Sequence, residues 1–234
     1  MKPLISVIVS TKNEEECIEA CLKSIKNQTY PNIEIIVSDA RSTDDTVKIA
    51  RKYADKVLVK KTNVSEGRNL GAKHARGKFL VFLDADVNLD KYFIINALKR
   101  LRSKNVAIVV GLYSFFEKNL RATIFEWYNK ITVLPLFKIG VPQTLVGCTF
   151  AVKKSNFFKI NGFREDLINA EDFDITLRMK KIGDVVLEKR CRFKTSARRF
   201  ENEGYFKLIL IWSINYAWFY FIRSSLVKSY ICIR

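Results

Sequence analysis

The sequence predicts an α/β fold: a mostly parallel central sheet, Rossmann-like, with helices on both faces. Two observations predict it. Strand-like and helix-like segments alternate through the first 110 of 234 residues, the pattern of successive βαβ units. The run Phe79-Leu-Val-Phe-Leu83 is apolar throughout, the composition of a strand covered on both sides. That run stops at Asp84-Ala-Asp86. Residues two apart on an extended segment face the same way, so two carboxylates emerge together at the carboxyl edge of a buried strand, where open α/β sheets bind ligands. Side by side they repel unless a cation sits between them, and a hard divalent cation bridging to a diphosphate meets that need. Taken alone, the pair reads equally well as a polar turn after a core strand.

The elements follow in order. Leu4 to Ser10 is a buried first strand, and Thr11-Lys-Asn-Glu14 a turn. Ile18, Cys21, Leu22 and Ile25 recur at helical spacing, which predicts an amphipathic helix near 14–27. Ile33 to Ser38 is a second strand ending in Asp39, and Ser42 with Asp45 has capping-box spacing before a short helix to about Tyr53. Lys56 to Lys60 is a third strand, exposed on one side. A helix over about 65–75 leads into the central strand. Another helix spans about 91–103, and Val106 to Gly111 is a strand.

The character changes after residue 112. Asn119 to Phe137 is an aromatic, amphipathic helix with Ile124, Trp127, Tyr128 and Ile131 on one stripe. Gln143 to Val152 reads as a strand, Ser155 to Ile160 as a short helix, Glu171 to Met179 as a helix with an acidic start, and Val185 to Glu188 as a short strand. Acids in a first turn suit the helix dipole, so part of the cluster Glu171-Asp172-Phe173-Asp174 has a structural reason. These shifts divide the chain into 1–112 and 113–204, two halves of one domain, and a tail over 205–234.

The totals fit a globular chain of one large domain: 48% hydrophobic, 28% charged, with only 9 Gly and 4 Pro. No amino-terminal signal sequence is expected, and five scattered cysteines suit a reducing cytosol. Cys17 and Cys21 fall one helical turn apart, as core residues or metal ligands; no further ligand pair follows. The net charge of +17 points to an anionic partner, whether nucleic acid, an anionic membrane face or phosphorylated substrates, or to a Lys-rich proteome with no such partner.

Six stretches in order resemble family 2 glycosyltransferases, which have the nucleotide-diphospho-sugar transferase (GT-A) fold. They are Val7 to Glu15; Ile35 to Thr46; Gly67-Arg-Asn-Leu-Gly-Ala72 with Ala75-Arg-Gly77; Asp84-Ala-Asp86; Glu171-Asp172; and, loosely, Ser196-Ala-Arg-Arg-Phe200. The second usually reads Asp-Asp-Gly-Ser-Thr-Asp, and here Ser38 and Ala40-Arg41 replace the more usual Asp and Gly around Asp39. The last lacks the Gln and Trp of processive members.

The resemblance implies an inverting, metal-dependent sugar transfer from a nucleoside-diphosphate donor, UDP or GDP. Asp39 would accept hydrogen bonds from a base, from uracil N3–H or the donor edge of guanine; it also suits a helix cap. Thr11 and Asn13 would contact base or ribose, with Glu14 alongside or in the first helical turn. Arg68 would hold the nucleotide through its fork of donors. Asp86 would bind Mg2+ or Mn2+, with Asp84 at the ribose or behind the metal. Asp172 would be the general base, with Glu171 and Asp174 as rival carboxylates. Arg198 and Arg199 would close over the diphosphate or serve as surface charge.

Leu208 to Ile222 carries no charge and lies between Lys207 and Arg223, predicting a C-terminal hydrophobic helix. Fifteen residues rise roughly 22 Å, short of the ~30 Å hydrocarbon core. Its Trp and Tyr residues favour a helix lying in the membrane interface over a dimer-forming helix or a span. The expected setting is cytoplasmic, at the inner face of the cell membrane, with a polyprenyl phosphate or lipid-linked glycan as acceptor and no nucleic acid bound. The alternatives are a sugar-1-phosphate nucleotidylyltransferase, disfavoured by the absence of Gly in Ser10-Thr-Lys-Asn13, and a basic nucleic-acid-binding module, for which no motif is present.

Overall fold

The computed structural model describes residues 2–138, 149–167 and 169–222. Its centre is one eight-stranded sheet of order β3-β2-β1-β4-β7-β6-β8-β5. The strands are β1 (Ile5–Thr11), β2 (Ile33–Asp39), β3 (Lys56–Val59), β4 (Phe79–Asp84), β5 (Asn88–Leu89), β6 (Val106–Phe115), β7 (Phe150–Lys153) and β8 (Asp184–Thr195). β1 to β4 are parallel. β7 runs antiparallel between β4 and β6, β6 and β8 are parallel, and β5 pairs antiparallel with β8. The sheet is thus mixed and mostly parallel, as in GT-A folds.

The helices are α1 (Ile18–Lys26), α2 (Thr46–Ala50), α3 (Val64–His74), α4 (Phe93–Leu101), α5 (Leu120–Lys138), α6 (Lys154–Lys159), α7 (Glu171–Lys180), α8 (Arg198–Glu203) and α9 (Tyr205–Ile222). The two-residue period of the strands splits their side chains between two cores. Val7, Val9, Val81 and Leu83 pack with Ile18, Leu22 and Ile25 of α1 and with Phe93 and Leu98 of α4. Ile8, Leu80 and Phe82 pack on the other face with Ala72 of α3, Phe157 of α6 and Ile175 and Met179 of α7. A smaller cluster joins Phe115, Phe125 of α5, Phe200 of α8 and Leu208 of α9.

Several expectations are corrected. The first helix begins at Ile18 rather than near 14, because Asn13 takes φ 54 and turns the chain first. Ser42 caps no helix: its hydroxyl and N–H donate to Asp39, and α2 has no side-chain cap. The last strand is twelve residues long, not four. The stripe of Ile124, Trp127, Tyr128 and Ile131 on α5, whose cover the sequence left open, is exposed. Of the strand expected over 143–152, Phe150 onward is strand and 143–148 lies outside the described residues.

A cleft of about 630 Å³ lies at the opposite edge of the sheet, lined by Arg76, Lys78, Arg102, Lys153 and Lys154 among others. Helix C-termini converge there, and Lys153 and Lys154 donate to the carbonyls of Ser103 and Ala75 just past two of them. Much of this basic charge therefore complements helix dipoles, and Arg76 pairs with Glu34.

Candidate active site

The site assembles at the carboxyl ends of β1, β2 and β4. The parallel register sets Thr11 beside Asp39 and Ser10 beside Asp84. Asp84 and Asp86 follow from β4, as the sequence predicts.

Helix α3 ties this edge to the second half of the chain. It starts with a capping box, Asn63 accepting from the Glu66 N–H while Glu66 accepts from that of Asn63. It lies hard against β1, since a Cβ on Gly71 would come within 2.4 Å of Ile8 Cγ2. Held there, it presents three clamps. Ser65 Oγ donates to Leu167 O at 3.3 Å. Asn69 donates to Phe163 O at 2.8 Å and accepts from its N–H at 2.9 Å. Arg68, only 2% exposed, donates through Nη2 to Asp84 Oδ1 at 2.7 Å and through Nη1 to Glu171 Oε1 at 2.9 Å. Its guanidinium also lies over the Phe163 ring, 5.3 Å from the centroid. One buried cation thus joins the β4 carboxylate to the acidic start of α7.

Asp172 comes with Glu171. Ala170, the residue before them, is buried and adopts a left-handed conformation with φ 63, which is costly for a side chain with a Cβ. Asp172 as a whole is partly shielded, but its carboxyl group is surrounded by protein. That burial, reinforced by Glu171, pushes it from an ordinary 3.8 up to about 8, against the opposing pull of the Phe173 N–H and Arg68.

Asp86 is pushed up to about 7 by burial, by Asp84 and by Glu14, with Arg198 opposing. Glu14, at the end of the β1 loop, binds Arg198 Nη2 at 2.8 Å, and Glu16 lies 3.8 Å from the same guanidinium. Burial raises Glu14 as well. Three elements therefore converge on Asp86: the β1 loop, the β4 end and α8. Among the described residues no cluster of three or more His, Cys, Asp or Glu is arranged to hold a metal. Two crowded carboxylates still fit a hard divalent ion, because Mg2+ and Mn2+ keep waters and take their other oxygens from phosphates.

The remaining expected residues divide. Arg198 is at the site. Arg199 is turned to Glu203 on its own helix, 2.9 Å away. Asp174 is buried and paired with Arg178, which also holds the carbonyls of Ile160 and Gly162, so it braces a turn rather than facing the cleft. Asp39 is 1% exposed, with both oxygens engaged by Ser42. The Asn13 side chain accepts from the N–H and hydroxyl of Thr43, and its own N–H binds Ser42 Oγ at 2.7 Å. Thr11 Oγ1 is buried without a hydrogen-bond partner among the described residues. Glu14 is the residue that sequence reasoning underweighted, being held there as an alternative helix residue.

The sheet order and its mostly parallel strands define a GT-A-like fold. The model of Glycosyl transferase family 2 matches residues 6–160, and the chain belongs to that family. It is 28% identical to the Escherichia coli UDP-Glc:alpha-D-GlcNAc-diphosphoundecaprenol beta-1,3-glucosyltransferase WfgD over 78% of this chain and 72% of that protein. Among solved structures it is similar to the mannosyltransferase PcManGT of Pyrobaculum calidifontis, in complex with GDP-Man and Mn2+, with TM-score 0.68, 24% identity, and coverage of 84% of this chain and 58% of that one. TarS 1-349 of S. aureus in complex with UDP-GlcNAc matches with TM-score 0.63 and 22% identity over 82% of this chain and 58% of that one. The chain spans 30% and 64% of the length of the first two curated relatives, glycosyltransferases of Rickettsia bellii and Rickettsia typhi.

Proposed function

We propose that this chain transfers a sugar, with inversion, from a UDP or GDP donor to a polyprenyl phosphate or lipid-linked glycan at the inner face of the cell membrane. The observation that carries this reading is the Arg68 bridge. Through it Glu171, next to Asp172 in sequence, and Asp84, two residues before Asp86, hold one buried guanidinium although they lie far apart along the chain.

Asp86, with Asp84 beside it, would hold Mg2+ or Mn2+. A bound divalent ion there supplies Lewis-acid neutralisation of charge on the departing nucleoside diphosphate. Asp39 accepts from the base, using the lone pairs its contacts with Ser42 leave, and Thr11 offers an unused hydroxyl beside it. Asn13 sets the loop between them. Asp172 takes the proton of the acceptor hydroxyl as its oxygen attacks the anomeric carbon opposite the diphosphate. A carboxyl raised to about 8 is matched to that task near neutral pH. Glu171 keeps Arg68 in place. Arg198, paired with Glu14, would turn to the diphosphate.

Membrane docking is supported by the outer faces of two helices. On α5, Leu120, Ile124, Trp127, Tyr128 and Ile131 are exposed; on α9, Phe206, Leu210, Ile214, Trp218 and Phe221 are. Among the described residues no helix is long and apolar enough to cross a membrane. Aromatic faces on a strongly basic chain suit an anionic interface. The donor reading is tested by thermal shift with UDP-, GDP- and dTDP-sugars, with and without Mn2+. Stabilisation by one nucleotide only when metal is present is expected; no response to any of them would overturn it.

A further inference from the structure

Among the described residues, four other than glycine have positive φ: Asn13, Arg41, Asn161 and Ala170. Asparagine tolerates this region, and the other two do not. Ala170 is accounted for by the entry into α7. Arg41, with φ 59, has no such explanation. It sits at the apex of the turn that leaves β2, between Asp39 and Ser42. The turn is fixed on every side. Ala40 N–H donates to Thr11 O at 2.9 Å, Ser42 N–H donates to Asp39 Oδ1 at 2.8 Å, and Ser42 Oγ meets both Asp39 Oδ2 and the Asn13 N–H.

Arg41 is exposed and makes no hydrogen bond or ion pair among the described residues. Its neighbour Asp39 gives both oxygens to Ser42 instead. A backbone cost that the fold itself does not recover is characteristic of residues kept for a ligand.

The sheet order says which end of a ligand this would be. β2 and β4 flank β1, so Arg41 and the Asp84–Asp86 pair stand about two strand spacings apart, roughly 10 Å. That is the distance from a nucleobase to the far phosphate of a nucleoside diphosphate, which places Arg41 at the base.

We propose, resting on the donor-site reading above, that Arg41 is a specificity-determining residue that reads the nucleobase together with Asp39. A guanidinium only donates hydrogen bonds and a carboxylate only accepts them. Two residues apart in one turn, they can together match a base edge where an N–H lies next to a C=O. Guanine, uracil and thymine have that edge. Adenine and cytosine exchange the two positions, with the acceptor in the ring and the donor outside it, so a pair spaced for the first edge meets them only in a shifted pose.

Arg41→Gly separates the two consequences of the arrangement, because it relieves the backbone while removing the guanidinium. The free variant should melt about 2–4 °C above the parent protein. In calorimetry with Mn2+ present it should bind the preferred keto-base diphosphate, UDP or GDP, about tenfold more weakly, with ADP and CDP unchanged. Arg41→Ala keeps the strain and should show the binding loss without the gain in melting temperature. Arg41→Gly binding UDP and GDP as tightly as the parent would overturn the proposal. Equal weakening toward all four nucleotides would also overturn it, by assigning Arg41 to the phosphates. Failure of the donor reading itself looks different: the parent protein would then bind none of them.

Discussion

Replacing Arg68 by Met should disable the site through its geometry and its electrostatics at once. Met keeps much of the volume and leaves Asp84 and Glu171 facing each other without the cation. The Arg68 side chain is 3% exposed, Glu171 12% and Asp84 32%. Removing one partner of a buried ion pair costs ~3–5 kcal/mol. The Asp84 arm opens toward water and is worth less, which puts the expected loss near the low end, about 3 kcal/mol. For a chain of this size that lowers the melting temperature by about 6–12 °C. Arg68 also restrains Asp172 from rising further, so its loss should move the rising limb of the pH–rate profile to higher pH. Urea unfolding and a pH series of transfer assays measure the two effects. Arg68→Lys should fall between, since an ammonium keeps the charge without the fork that spans two carboxylates. Adding Glu171→Gln to the Met variant should restore part of the stability, because one uncompensated acid is gone. A loss below about 1 kcal/mol with an unmoved pH limb would refute the bridging role.

Asp172→Asn should lower the transfer rate ~10²–10⁴-fold, and a loss under tenfold would remove Asp172 from the role of base. In the parent protein kcat/KM should rise with pH to a plateau above about 8, since the ionised carboxyl is the active form. Stability should run the other way. Between 3.8 and about 8 the folded chain holds a proton on Asp172 that the unfolded chain has released, so this residue makes the protein less stable as pH rises through that window. Melting curves of Asp172→Asn should therefore gain on the parent from pH 5 to pH 8, and parallel curves would contradict the burial argument. Ile124→Glu with Trp127→Glu should cut cosedimentation with anionic vesicles at least tenfold while leaving nucleotide binding intact; unchanged cosedimentation would remove α5 from the membrane face.

The first half of the fold was legible because its strands are short apolar runs and its helices carry clean periodicity. The acidic pair after β4 was legible for the same reason, as an interruption of a pattern. β8 was cut short at Glu188 because Arg190, Arg192 and Lys194 interrupt the apolar run; they alternate with the buried Cys191, Phe193 and Thr195, a two-residue period hidden behind strong charge. Asp174 and Arg199 were drawn toward the cleft by their neighbours in sequence, yet each had a partner four positions along its own helix, Arg178 and Glu203. The role of Arg68 could not be read locally at all, since its partners lie 16 and 103 positions away. Nor could the outward turn of the α5 stripe: periodicity shows that a face is apolar and says nothing about what covers it.

The position of β7 has a consequence for how the chain comes into being. β4 is flanked by β1 on one side and by β7 on the other, and 65 residues, 85–149, lie between β4 and β7 in sequence. At ~5–20 residues per second, a ribosome needs several seconds to deliver the second neighbour. During that interval a strand apolar over five of its six residues has a bare rim of unmade hydrogen bonds, open to any passing strand. Crowding of nascent chains, more than any weakness of the finished protein, is then what would limit its yield.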